Sequence, residues 1–383
     1  MRVARWTAWS VSAVWAGLAA APGRFWTTAV RLPVAGPPAS WPPVAVVVPA
    51  RDEAPMLART VPALCRQDYP GPARVIVVDD ESSDGTGRAA SVAAVGGPVT
   101  LEVLRGAPRP EGWAGKLWAL HQGVSHLAGS PVPPEWVLLT DADIEHPPDS
   151  LRRLVAAATA DDRDAVSLMA RLRVDTGWER LVVPAFVYFF AQLYPFRLVA
   201  RPGRTAAAAG GCVLVRRAAL ERAGGIAAIR DAVIDDVALA RALKRSGARI
   251  WLGLADEVRS VRPYPRLADL WRMVARSAFT QLRYSALLLG FTLAGLFLVY
   301  LGPPIALVVG VVRADRSLAA AGASGWAVMT ATYLPMTRYH RLHPLRALTL
   351  PAAAALYAAM TADSARRHWA GAGVEWKGRR YLR

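Results

Sequence analysis

The hydrophobic pattern divides the chain into two textures. From Val44 to about Leu282, short β-rich runs alternate with helical patterns, and outside that stretch charged residues disappear for long intervals. Val44–Val48 reads as a buried strand, Glu53–Gln67 as a helix, Arg74–Val78 as a strand, and Asp84–Ala94 as a helix opened by Ser82-Ser83. Val99–Leu104, a helix over about Lys116–Leu127 and the strand Trp136–Leu139 continue the alternation. This order predicts an α/β fold with a doubly wound, mostly parallel sheet and helices on both faces. Ligands of such sheets bind beyond the carboxyl ends of the strands, so residues just after each strand matter most.

Four runs carry no charge: Trp6–Gly23, Tyr284–Val312, Ser317–Thr337 and Ala347–Ala362. A membrane-spanning helix needs about 20 apolar residues. The second run suffices for one tilted span, or for a broken helical hairpin because Gly302-Pro303-Pro304 interrupts it. The fourth, short and Ala-rich, spans a membrane or lies at its interface. The first is a retained anchor, or a signal peptide with Arg2 and Arg5 ahead of the small-residue site Ala19-Ala20-Ala21. Arg366, Arg367, Lys377, Arg379, Arg380 and Arg383 oppose only Glu375, so the positive-inside rule places the tail in the cytoplasm. The expected location is the inner membrane, multi-pass, with the α/β domain facing the cytoplasm.

Composition sharpens this. Of 383 residues 54% are hydrophobic and 20% charged, and 46 Lys and Arg against 29 Asp and Glu leave a net charge of +17. Disordered, collagen-like and disulfide-scaffold classes are excluded. Cys65 and Cys212 form no CxxC pair. A nucleic-acid binder would interleave basic residues with aromatics on one soluble face. Here the basic tail follows apolar runs, which suits anionic lipid head groups, so no nucleic-acid partner is expected.

Acids gather where the ligand belongs. Pro49-Ala50-Arg51-Asp52-Glu53 follows the first strand, Asp79-Asp80-Glu81-Ser82-Ser83-Asp84-Gly85-Thr86 the second, and Asp141-Ala142-Asp143 the strand Trp136–Leu139. Helix N-capping accounts for Asp84 and Asp149. Paired carboxylates at strand ends point instead to a hard cation, Mg²⁺ or Mn²⁺, that leaves coordination positions for water and phosphate.

These motifs, in this order and followed by Ile234-Asp235-Asp236-Val237-Ala238-Leu239, resemble the family 2 glycosyltransferases of the GT-A fold over Val44 to about Tyr284. Gly112-Trp113-Ala114-Gly115-Lys116-Leu117-Trp118, the run Met273–Leu282 and the Trp376-Lys377-Gly378-Arg379 tail look more narrowly like the hopanoid-biosynthesis-associated branch. The resemblance implies that Pro49, Arg51, Glu53 and Asp80 line the nucleobase and ribose pocket, with Asp79 as the alternative to Asp80. It implies that Asp141 and Asp143 hold ribose and metal, Asp143 the more direct ligand, and that Lys116 offsets diphosphate charge. Asp236 matches the catalytic base and Asp235 the acid before it. Gly210-Gly211-Cys212 is a close-approach loop, with Gly211 a wall for the donor sugar, or a tight turn into the strand Val213–Val215. Leu181–Phe196 is a membrane-surface helix or the core side of a helix. Leu267–Leu282 looks like an interfacial helix, with Arg276 on the acceptor side.

The implied division is an anchor over 1–30, a GT-A catalytic domain over 44–265, an interfacial helix over 266–283, two to four transmembrane helices over 284–362 and a basic tail over 363–383. The implied reaction is inverting, metal-dependent transfer of a sugar from a nucleotide-diphosphate sugar, a UDP-sugar foremost, to a membrane lipid such as a hopanoid or other terpenoid. Ceramide-type or polyprenyl-phosphate glycosylation is the alternative, and a membrane scaffold with a degenerate domain the non-enzymatic one. One departure counts against polymer synthesis and against close ceramide-type chemistry. The Gln/Arg-x-x-Arg-Trp motif of those enzymes reads Met273-Val274-Ala275-Arg276-Ser277 here.

Overall fold

A computed structural model describes residues 1–94, 96–371, 374–376 and 379–381, the last two segments by backbone alone. Lys377, Gly378 and Arg383 of the expected basic tail lie outside the described residues. Helix α1 (Arg2–Ala20) precedes β1 (Val44–Ala50), α2 (Ala54–Cys65), β2 (Ala73–Asp79), α3 (Thr86–Ala93), β3 (Thr100–Arg105), α4 (Gly115–His126) and β4 (Trp136–Leu139). Next come β5 (Ile144–Glu145), α5 (Ser150–Ala160), β6 (Ala165–Arg171), α6 (Gly177–Leu193), α7 (Phe196–Val199), β7 (Val213–Arg216), α8 (Arg217–Arg222), α9 (Asp235–Arg245) and β8 (Ile250–Ser260). The C-terminal part holds α10 (Leu267–Ala275), α11 (Ala278–Gln281), α12 (Ala286–Gly295), α13 (Gly302–Val312), α14 (Arg316–Tyr339), α15 (Leu350–Trp369) and the hairpin β9 (Val374–Trp376) and β10 (Arg379–Tyr381).

The main sheet has the order β3-β2-β1-β4-β7-β6-β8-β5. Pairing is parallel from β3 through β4 and between β6 and β8, but β7 runs antiparallel to both β4 and β6, and β5 antiparallel to β8. The sheet is therefore mixed: six strands share one direction, and β7 and β5 oppose them. The cause is connection: β7 enters from the Ala206–Gly211 loop at the end of the sheet where β4 leaves. Strand β1 is buried on both faces, Ala45 and Val47 toward one core and Val44, Val46 and Val48 toward the other. That explains its unbroken apolar run.

The first core continues without interruption from the sheet into the C-terminal helices, through Met329, Tyr333, Met336, Leu350 and Met360. Helix α6 lies in it. The Tyr188 hydroxyl and Thr332 Oγ1 are 2.8 Å apart, and the Tyr357 hydroxyl donates to the Val182 carbonyl. Its apolar character thus serves packing at least in part. Among the described residues three segments are long and apolar enough to cross a membrane: Gly177–Val199, Ala286–Val312 and Pro344–Trp369. Pro303 and Pro304 do not break the second. A π-helical turn, Leu296–Leu301, precedes them, and they start α13, where a missing N–H costs no helical bond. The expected interfacial helix is split between α10 and α11 at Arg276-Ser277.

Candidate active site

The strand ends β1, β2 and β4, the start of α4 and the start of α9 converge at one edge of the sheet. Glycine allows the closest approach: a Cβ on Gly123 of α4 would lie 2.5 Å from Val47 Cγ1, so the helix rides directly on β1. At the far end of that helix Lys116 Nζ sits 2.7 Å from Asp141 Oδ1 and 2.8 Å from Asp235 Oδ2. One ammonium thus ties the acid after β4 to the acid that opens α9. Burial works against ionisation of Asp235, but Lys116 outweighs it and holds the carboxyl below its ordinary range. For Asp141 burial wins over Lys116, and its pKa is raised.

Asp236, one residue along α9, accepts from the Gly210 N–H at 3.1 Å and from the Val237 N–H at 2.7 Å. Burial, reinforced by the Asp235 charge, pushes it up to about 7. Gly210 and Gly211 leave room for this contact. A Cβ on Gly210 would lie 3.2 Å from Lys116 Nζ, and one on Gly211 3.0 Å from Ile144 Cδ1. Thr140 fixes the loop by donating to the Gly211 carbonyl at 2.7 Å, and His146, buried behind it and lowered to about 4 by desolvation, lies 2.9 Å from Thr140 Oγ1.

Asp143 has a different set of partners. Its Oδ2 accepts from Ser260 Oγ at 2.6 Å and stands 3.4 Å from Arg262 Nε. The other arm of Arg262 is 2.6 Å from Glu53 Oε1. Ser260 and Arg262, at the end of β8, were not among the residues expected from sequence. Both stand at the carboxyl end of a strand, where ligands of such sheets bind, so recognising Ile250–Ser260 as a strand would have exposed them.

A cavity of about 1130 Å³ opens over these groups. Pro49, Glu53, Lys116, Asp141, Asp143, Gly211, Asp235, Asp236 and Arg276 all line it, so the structure brings these expected residues together. Arg51, Asp79 and Asp80 are not among its lining residues. Arg51 donates to the Asp80 carbonyl at 2.5 Å, Asp80 is fully buried, and both Asp79 oxygens accept backbone N–H groups, from Ser82 and Gly87. Asp79 thus shapes the turn into α3. Apolar and aromatic side chains line the same cavity: Trp113, Leu172, Phe186, Phe190 and Tyr284. Trp113 packs on His121 with ring centroids 4.7 Å apart, and Arg109 donates to the Trp113 carbonyl at 2.6 Å.

The donor set suits Mg²⁺ or Mn²⁺. Asp141 and Asp143 supply hard carboxylate oxygens at one strand end, beside a space large enough for the phosphates that would complete the coordination. Among the described residues no group of three or more His, Cys, Asp or Glu gathers to hold a metal alone, so such a cation would share its ligands with a bound molecule.

One solved structure agrees with this architecture over nearly its whole length. The fold is similar to that of the mannosyltransferase PcManGT from Pyrobaculum calidifontis, solved in complex with GDP-Man and Mn²⁺, with TM-score 0.57 and 22% identity over 93% of this chain and 99% of that one. Glucosyl-3-phosphoglycerate synthase of Mycobacterium tuberculosis, solved with Mn²⁺ and UDP-glucose, matches 63% of this chain and 79% of its own at TM-score 0.39 and 18% identity. No curated protein matches the chain by sequence. Residues 42–280 match the family described as Glycosyltransferase like family 2, which spans more than half of the 383 residues. The chain is a family 2 glycosyltransferase.

Proposed function

We propose that the chain transfers a sugar from a nucleotide-diphosphate sugar, with inversion, to a hydroxyl of a membrane lipid. The observation that carries this reading is the cavity that joins the acid cluster to Phe186, Phe190 and Tyr284. Its acids and Lys116 suit a polar donor, and its aromatic side chains suit an apolar acceptor. GDP-Man in the similar mannosyltransferase supports a nucleotide-sugar donor.

The chemistry follows from the side chains. Asp236, raised toward neutrality, takes the proton of the acceptor hydroxyl. The oxygen bonds to the anomeric carbon while the bond from that carbon to the diphosphate breaks, and the nucleoside diphosphate departs. One displacement from the face opposite the diphosphate inverts the centre. Lys116 orients the two acids at its ammonium and adds positive charge near the phosphates. Mg²⁺ or Mn²⁺, held by Asp143 and Asp141, supplies further charge for the leaving group when bound.

In this reading residues 44–265 carry the chemistry, 266–283 lie at the interface and 284–362 cross the inner membrane, with the active site cytoplasmic. The exposed apolar side chains Leu287, Phe291, Phe297, Val308, Val311 and Val312 support lipid contact along α12, the π-helical turn and α13. A hopanoid or other terpenoid alcohol is the acceptor class that the sequence motifs suggest. The test is a donor panel with purified full-length protein, scored by nucleoside diphosphate release with Mn²⁺ or EDTA and with lipid extract. Release with one sugar nucleotide, dependent on Mn²⁺ and lipid, is expected. Absence of release with every donor would sink the reading.

A further inference from the structure

We infer that Arg262 couples cation binding to diphosphate binding: it competes with the cation for Asp143 and turns to the diphosphate once Asp143 is taken. This rests on the metal-dependent transfer proposed above. Arg262 lines the cavity between two carboxylates of unequal hold. The contact to Glu53, 2.6 Å, is a short charge-assisted bond to a residue only 6% exposed, whose backbone N–H is itself anchored on Thr86 Oγ1. The contact to Asp143, 3.4 Å, is longer than such bonds usually are, and it falls on the oxygen that already accepts from Ser260. The Asp143 end is therefore the end that gives way. A divalent cation on Asp143 would repel the adjacent guanidinium, and a diphosphate in the same cavity would attract it. The planar fork of arginine matches phosphate oxygens as well as it matches carboxylate.

Affinity for Mn²⁺ alone tests the competition. Full-length protein in detergent would be titrated with Mn²⁺, free Mn²⁺ being read by electron paramagnetic resonance, without nucleotide. Arg262→Gln is expected to tighten Mn²⁺ roughly tenfold, an ordinary coupling for two ligands sharing one residue. Arg272→Gln, which removes a cavity-lining cation paired with Asp269 instead, should change it less than about twofold. The gain should vanish in Arg262→Gln/Asp143→Asn, and Arg262→Lys should fall between wild type and Arg262→Gln. With Mn²⁺ saturating, Arg262→Gln should weaken UDP or GDP binding, by calorimetry, roughly tenfold. Unchanged or weaker Mn²⁺ binding in Arg262→Gln, an equal gain in Arg272→Gln, or unchanged nucleotide affinity would overturn the inference. If wild type binds neither UDP nor GDP, the transfer reading falls and the diphosphate half with it, while the Mn²⁺ comparison still decides the competition.

Discussion

Lys116→Gln should destabilise the protein in a way that fades with acid. The ammonium contacts Asp141 and Asp235 at 2.7 and 2.8 Å. At an effective dielectric of about 20, each contact corresponds to roughly 6 kcal/mol of Coulomb attraction before desolvation is counted. Breaking a buried pair by deleting one partner costs about 3–5 kcal/mol, because the survivors stay buried and charged. The side chains here are 21%, 33% and 23% exposed, so solvent screening favours the lower end, about 3 kcal/mol. At about 2–4 °C per kcal/mol, the melting temperature should fall by about 6–12 °C near neutral pH. In wild type Asp235 is held below its ordinary range, so its contribution is present at neutral pH and is lost as pH falls through that lowered pKa. Without Lys116, burial raises both acids. The penalty is then full above their raised values and shrinks as pH falls and they take up protons. Scanning fluorimetry of the full-length protein in EDTA, from pH 8 to 5, would read the difference from wild type. Lys116→Arg, which keeps the charge, should lose far less. A loss independent of pH, or one that grows toward pH 5, would refute the electrostatic account.

Other substitutions test other links. Asp236→Asn should lower kcat/KM by about 10²–10⁴ in a nucleoside diphosphate release assay, with folding unchanged by circular dichroism. In wild type, kcat/KM should fall as pH drops below about 7, because the base must be deprotonated; a flat profile from pH 8 to 5.5 would remove Asp236 from that role. Gly123→Ala puts a methyl 2.5 Å from Val47 Cγ1 and should cost about 1–3 kcal/mol in denaturant unfolding, whereas a null effect would mean that α4 shifts freely on the sheet. Phe190→Asp places a charge in the apolar wall of the cavity and should abolish transfer to lipid while leaving nucleotide affinity within about twofold; equal loss of both would show that the wall belongs to the donor.

The local elements were readable because their signals are local. The all-apolar runs of β1 and β4 and the Gly-Lys start of α4 mark themselves within a few residues. Strand direction does not. That β7 opposes β4 depends on where the Ala206–Gly211 loop re-enters the sheet, a relation between residues far apart in sequence. Among the site residues, Asp141, Asp143, Asp235 and Asp236 stood out as acids at element ends, and the structure gathers them around one cavity. Arg262 did not stand out, because β8 reads as Ile250–Ser260 with Asp256, Glu257 and Arg259 at its far end, which blurs the strand pattern. Helix α6 was ambiguous for a physical reason. A helix packed among other helices, as α6 is among α10, α14 and α15, is apolar nearly all round, as a lipid-facing one is.

The contact between α1 and α14 has a consequence for how the chain is made. Arg5 meets Asp315 at 2.8 Å, Ser12 donates to the Ala321 carbonyl, and Gly325 sits against Ser12. Helices α13 and α14 touch backbone to backbone where Gly310 faces Ala319 and Gly322 faces Leu307, so that pair can zip up as soon as it is synthesised. Helix α1 leaves the ribosome about 300 residues before its partner exists. Throughout that interval its polar stripe of Arg5, Ser12 and the Trp9 indole has no counterpart from α14. All eight strands of the main sheet are therefore synthesised before α14 exists to receive α1.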